Sequence, residues 1–149
     1  MRSWVLRVGA ALAAVALLTV ACGGGGGGSS VESSGGTIEI GGEKANGHGT
    51  ADLSGKTTFD LELGDLGPAQ APFFSPTVLT GTPGQKVELT LKNTGVTPHN
   101  FTLVDQNIDQ DVAAGQEGSV TVTFPKSGFV EFHCKYHSAQ GMLGELKVA

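Results

Sequence analysis

Charge, aromatics and long apolar runs are all scarce in this chain. Only 15% of its 149 residues are charged, and fourteen acids against nine bases leave a net charge of −5. No basic block exists, so the electrostatic footprint of a nucleic-acid binder is missing. The apolar run over residues 8–20 is too short for a comfortable membrane span. No stretch sustains a 3.6-residue apolar period, which argues against a helical fold. There are only two cysteines and four histidines. No Ser-His-Asp arrangement, carboxylate pair or phosphate loop stands out, so the residues do not point to an enzyme.

What is present begins with a processing signal. Arg2 and Arg7 precede the apolar run, which ends in Leu17-Leu18-Thr19-Val20-Ala21-Cys22. A small residue before Cys, directly after such a run, resembles a bacterial lipobox, with Thr19 where Leu is usual. On this reading residues 1–21 are a removed signal peptide. Cys22 is acylated and anchors the protein to the outer face of the cell membrane. The alternative is ordinary cleavage near Ala21, giving a secreted or periplasmic soluble protein with a free Cys22 thiol. No Arg-Arg pair occurs, so export of the unfolded chain is expected. Without the signal, seven lysines face fourteen acids, a charge of −7 that favours cationic partners.

Residues 22–56 read as a Gly/Ser-rich flexible tether, with Gly23 to Gly28 followed by Ser29, Ser30, Ser33 and Ser34. Within it, Thr37 to Ile40 is a strand candidate, and His48, between glycines, reads as a solvated loop residue. The folded domain is expected over 57–149. There, apolar residues recur every second position: Phe59, Leu61 and Leu63; Val87, Leu89 and Leu91; Phe101 and Leu103; Val120, Val122 and Phe124. Phe129 to Cys134 and Leu143 to Val148 complete the set. Pro83-Gly84, Asn93-Thr94-Gly95 and Pro125 to Gly128 supply turns. This pattern specifies an all-β sandwich of about seven or eight strands, expected to be antiparallel. The insertion over 64–72 has no assigned role.

The last quarter carries His133-Cys134-Lys135-Tyr136-His137-Ser138-Ala139-Gln140-Gly141-Met142, and Pro98-His99-Asn100 lies upstream. A thiolate, two imidazoles and a thioether form the donor set of a trigonal copper site used for electron transfer. Cys134 ends a strand, a short loop returns His137, and four further residues bring Met142 to the same point. Structural zinc wants a fourth strong ligand. Glu131 and His133 are the candidates, but they alternate away from Cys134 along the strand, which leaves His133 exposed.

The Cys-x2-His-x4-Met loop and the upstream Pro-His-Asn resemble the cupredoxin family, in particular its plastocyanin and pseudoazurin branch. The likeness spans roughly Phe73 to Ala149 and includes Ser75-Pro76, the Pro83-Gly84 turn and Leu89 to Asn93. It implies a Greek-key sandwich holding one copper ion that cycles between Cu(I) and Cu(II). It makes His99, Cys134 and His137 the strong ligands and Met142 the weak axial one. Asn100 becomes the neighbour that ties the ligand loops together and supports the thiolate. The resemblance further implies a monomeric one-electron carrier with transient redox partners. Electrons would cross at the edge of His137, amid an apolar surface drawn from Val96, Pro98, Gly141 and Leu143. The alternative function is copper storage or delivery to an exchange partner, without electron transfer. A multicopper oxidase or nitrite reductase needs further His-rich sites, and only His48 and His133 remain.

Overall fold

The computed structural model describes residues 35–65 and 71–148. Among the described residues, short period-2 sequences broken by Gly and Pro become twelve strands. The first six are β1 (Gly36–Ile40), β2 (Glu43–Gly47), β3 (Thr50–Asp52), β4 (Thr58–Gly64), β5 (Phe73–Ser75) and β6 (Val78–Gly81). After them come β7 (Lys86–Asn93), β8 (His99–Leu103), β9 (Ile108–Val112), β10 (Glu117–Thr123), β11 (Phe129–His133) and β12 (Leu143–Val148). The helical elements among the described residues are two 3-10 turns, Val104–Gln106 and Ser138–Gln140. No helix among them is long and apolar enough to cross a membrane. The segment expected to be a signal peptide, Cys22 and the first part of the expected tether lie outside the described residues, as does 66–70 of the insertion.

A four-stranded sheet, β10-β7-β4-β5, and a six-stranded sheet, β3-β6-β12-β11-β8-β9, enclose one core. Alternation decides which side chains enter it. Leu61 and Leu63 on β4, Val87, Leu89 and Leu91 on β7, and Val122 on β10 come from one side. Leu79 on β6, Phe101 and Leu103 on β8, Phe132 on β11 and Leu146 on β12 meet them from the other. All eleven are fully buried. Burying such side chains contributes roughly 1.5–3 kcal/mol each before entropy is charged.

The sandwich is as expected, but the sheets are mixed rather than purely antiparallel. β4–β7, β6–β12 and β3–β6 pair in parallel. Between β4 and β7 the chain visits β6 of the other sheet, so β7 returns to its neighbour in the same direction. Strand count also exceeds the expectation. β9 reads Ile-Asp-Gln-Asp-Val, too polar to announce a strand, yet it pairs with all of β8.

The amino-terminal boundary needs a larger correction. Strands begin at Gly36, well before residue 57. β1 and β2 form a separate hairpin, and β3 extends the six-stranded sheet beside β6. Gly41 and Gly42 turn the hairpin. Ile40 and Ala45 then bury Leu143 in a second small core, with Ile38 at its rim. Part of the stretch read as tether is therefore folded, because its few apolar residues find a partner on β12.

Candidate metal centre

Three strand ends and one loop carry the proposed ligands. His99 opens β8, Cys134 directly follows β11, and Met142 directly precedes β12. β11 and β12 are antiparallel neighbours with His133 opposite Leu143, so the ends carrying Cys134 and Met142 are adjacent. The Cys134 N–H donates to the Met142 carbonyl at 3.1 Å, and the Met142 N–H donates to the His137 carbonyl at 3.2 Å. The His137 N–H donates back to the Cys134 carbonyl at 3.0 Å. Gly141 adopts φ 86°, a left-handed conformation that costs Gly little, and this lets the 3-10 turn end directly before Met142.

The donor atoms of His99, Cys134 and His137 all lie within 4.8 Å of one another. Nδ1 of His99 is 3.2 Å from Nδ1 of His137, and Cys134 Sγ is 3.5 Å from Nδ1 of His137. An ion about 2.0 Å from imidazole nitrogens and about 2.3 Å from a thiolate holds such donors about 3–4 Å apart. The donors present fit a single first-row metal ion. His99, Cys134 and Met142 are fully buried, while His137 is partly exposed. Among the described residues no fourth His, Cys, Asp or Glu joins the cluster. The Met142 backbone is hydrogen-bonded to both Cys134 and His137, and with its thioether as a weak fourth donor the set would suit copper better than zinc.

Burial pushes the Cys134 thiol up, and hydrogen bonds from the Tyr136, Asn100 and His137 backbone only partly oppose this. These backbone donors are poised to support a thiolate once a cation offsets the burial. Burial also lowers His99, helped by the neighbouring His137 and opposed by Asp65. A neutral imidazole and an accessible thiolate state are what a metal requires. Asn100 is fully buried. Its side-chain carbonyl lies 3.4 Å from the Lys135 N–H, and its Nδ2 donates to Asp109 at 2.7 Å and to Asp111 at 2.8 Å.

Several neighbours differ from expectation. Leu143 does not line a surface: the β1–β2 hairpin buries it. Lys135, though exposed, is paired. Its Nζ lies 2.8 Å from both Asp109 and Asp111 on β9, and these bonds raise its pKa. His133 is half-buried, and Glu131 lies near Gly41 of the hairpin turn. His48 is not a solvated loop residue but stacks on Phe73 with ring centroids 3.9 Å apart.

Two residues near the ligands escaped the sequence reading. Asn46 on β2 donates its N–H to the Gly141 carbonyl at 2.8 Å, and its Nδ2 to the Gln140 carbonyl at 2.8 Å. The hairpin therefore grips the loop that delivers Met142. Asp65, just past β4, accepts from the Val96 N–H at 3.0 Å, the Thr97 N–H at 3.0 Å and the Thr97 hydroxyl at 2.6 Å. Its Oδ2 also lies 3.7 Å from Nε2 of His99. Burial pushes the Asp65 carboxyl up, but its hydrogen bonds outweigh this and hold it below the usual range. Neither role has a local sequence signal, because both depend on partners far along the chain.

A family model described as a cupredoxin-like domain matches residues 54–146. No curated protein sequence matches the chain. Among solved structures, dithionite-reduced auracyanin from Roseiflexus castenholzii aligns with TM-score 0.51 and 22% identity, covering 63% of this chain and 98% of that one. Auracyanin B aligns with TM-score 0.50 and 22% identity over 63% of this chain and 89% of its own. The multicopper oxidase mgLAC aligns with TM-score 0.50 and 19% identity, over 66% of this chain but only 39% of its own. At these identities the likeness shows the shared fold. With more than half of its length matched by the family model, and a donor cluster that fits the metal, the chain belongs to the copper-binding cupredoxin-like family.

Proposed function

We propose that this protein is a one-electron carrier working outside the cytoplasm, with one copper ion held by His99, Cys134, His137 and Met142. The observation that carries the reading is the approach of two Nδ1 atoms and one Sγ, at 3.2 and 3.5 Å across the His137 ring nitrogen. When bound, copper supplies the exchange between Cu(I) and Cu(II). The chain's part is to keep its donors still while that charge changes. Backbone bonds tie Cys134, His137 and Met142 to one another, and Asn46 fixes Gln140 and Gly141 from outside. A site that moves little on oxidation costs little reorganisation.

His137 offers the way out. It is partly exposed, its neighbour Tyr136 is half exposed, and Val96 and Pro98 on the His99 loop are exposed. Such a surface suits a brief, small docking contact. The other three ligands are buried, which favours retention of the ion over its delivery to an acceptor. The carrier reading also fits the remaining histidines better than an oxidase does. His48 is stacked on Phe73, and His133 does not join the metal cluster.

Repeated electrochemical cycling in the presence of a Cu(I) chelator tests this choice. A carrier keeps its copper through many cycles. Loss of the ion to the chelator within the first few cycles would establish the storage or delivery alternative instead. The anchor proposed at Cys22 is tested by detergent-phase partitioning of the protein from a lipoprotein-processing host. We expect the mature protein in the detergent phase and its Cys22→Ala variant in the aqueous phase. A wild-type protein found only in the aqueous phase contradicts acylation.

A further inference from the structure

We propose that Asp65 is a positioning residue for His99: its carboxylate keeps the imidazole proton on Nε2, turns Nδ1 toward the metal, and favours Cu(II) over Cu(I). The inference rests on the copper reading above, and goes beyond it by giving a role to the strand-end segment that the sequence left unassigned.

Three observations converge. Nε2 of His99 is fully buried and, among the described residues, has no hydrogen-bond partner. A buried imidazole nitrogen without a partner is costly and demands an explanation. The Asp65 carboxylate lies 3.7 Å from that nitrogen, and its side chain is only 12% exposed. It is held there by the Val96 and Thr97 N–H groups and the Thr97 hydroxyl, all neutral donors that leave its charge uncancelled. Gly95 completes the arrangement. A Cβ at that position would lie 2.6 Å from Asp65 Oδ1 and 2.9 Å from His99 Nε2. The carboxylate and the ring meet only because that space is left open.

The chemistry follows from the two ring nitrogens. A neutral imidazole has one N–H and one lone pair. Nδ1 faces His137 and the thiolate, so ligation there requires the proton on Nε2, the side where Asp65 waits. A carboxylate behind a ligating imidazole fixes its tautomer and orientation and makes it a stronger donor. In this poorly screened place its negative charge also stabilises the more positive oxidation state. At 3.7 Å the contact is longer than a hydrogen bond, so the metal-free ring is aligned by charge rather than clamped.

The test uses the full chain, with Asp65→Asn as the near-isosteric variant and Asp60→Asn, at an exposed carboxylate paired with Lys92, as a control for the loss of one negative charge elsewhere. Cu(II) and Cu(I) affinities are measured by chelator competition, and the His99 tautomer in the metal-free protein by imidazole nitrogen NMR. We expect wild-type His99 to be protonated on Nε2. We expect Asp65→Asn to weaken Cu(II) binding about tenfold more than Cu(I) binding, equivalent to about 59 mV of upward shift in potential. Asp60→Asn should leave that ratio within about twofold. A blue wild type whose affinity ratio is unchanged by Asp65→Asn overturns this inference alone. So does a metal-free wild type with His99 protonated on Nδ1, which requires no variant to fold. A wild type that forms no blue copper complex overturns the copper reading and this inference together.

Discussion

Cys134→Ser should abolish the intense blue absorption of the Cu(II)-loaded protein while leaving the sandwich folded. The colour requires a thiolate donating charge to Cu(II), and a serine hydroxyl stays protonated at neutral pH and is a hard, weak donor. Losing an outer partner of a metal ligand typically costs 10–100-fold in affinity, so losing the strongest donor should cost more than about 100-fold. The fold should survive because serine is close to cysteine in size. Its oxygen can also accept from the same backbone N–H groups of Asn100, Tyr136 and His137 that face the sulfur. Visible absorption and a thermal melt of the metal-free variant separate the two effects. A variant that stays blue removes Cys134 from the site. A variant that unfolds is read instead through Cys134→Ala, which should be equally colourless.

The largest loss of stability should come from Phe132→Ala, two residues earlier on the same strand. Phe132 is fully buried, stacks on Phe101 with centroids 4.8 Å apart, and meets Phe74 edge-on at 5.0 Å. Truncating a buried Phe typically costs about 3–5 kcal/mol, the cavity included. A whole domain has about 5–15 kcal/mol to lose. The melting temperature should therefore fall by about 10 °C or more. Val104→Ala is the matched control, because Val104 is 68% exposed, and it should change stability by no more than about 0.5 kcal/mol. Equal melting temperatures for the two variants would contradict the assignment of the core.

The same residues show what was legible in the sequence and why. Val87, Leu89 and Leu91 announce β7 because alternation is local, and all three are buried where the pattern puts them. The ligand spacing was legible for a similar reason. Cys134 and Met142 flank a short loop between neighbouring strands, so sequence distance nearly equals spatial distance. The hairpin was not legible. Its stretch is rich in glycine and charge, and its apolar side, Ile40 and Ala45, gains meaning only against Leu143 about a hundred residues later. For the same reason Leu143 looked like surface. β9 was hidden by its aspartates, which face out and hold Lys135 and Asn100 rather than packing inward. Asp65 was hidden most completely, since its partners lie about thirty residues away on the turn before β8.

The most direct test of the account is the visible and EPR spectrum of the protein after one equivalent of Cu(II). Two imidazole nitrogens, one sulfur anion and a thioether meeting at one end of the sandwich should give a deep blue solution and an EPR signal with unusually small copper hyperfine splitting. A pale adduct with the wide splitting of ordinary nitrogen- and oxygen-bound Cu(II) would contradict it.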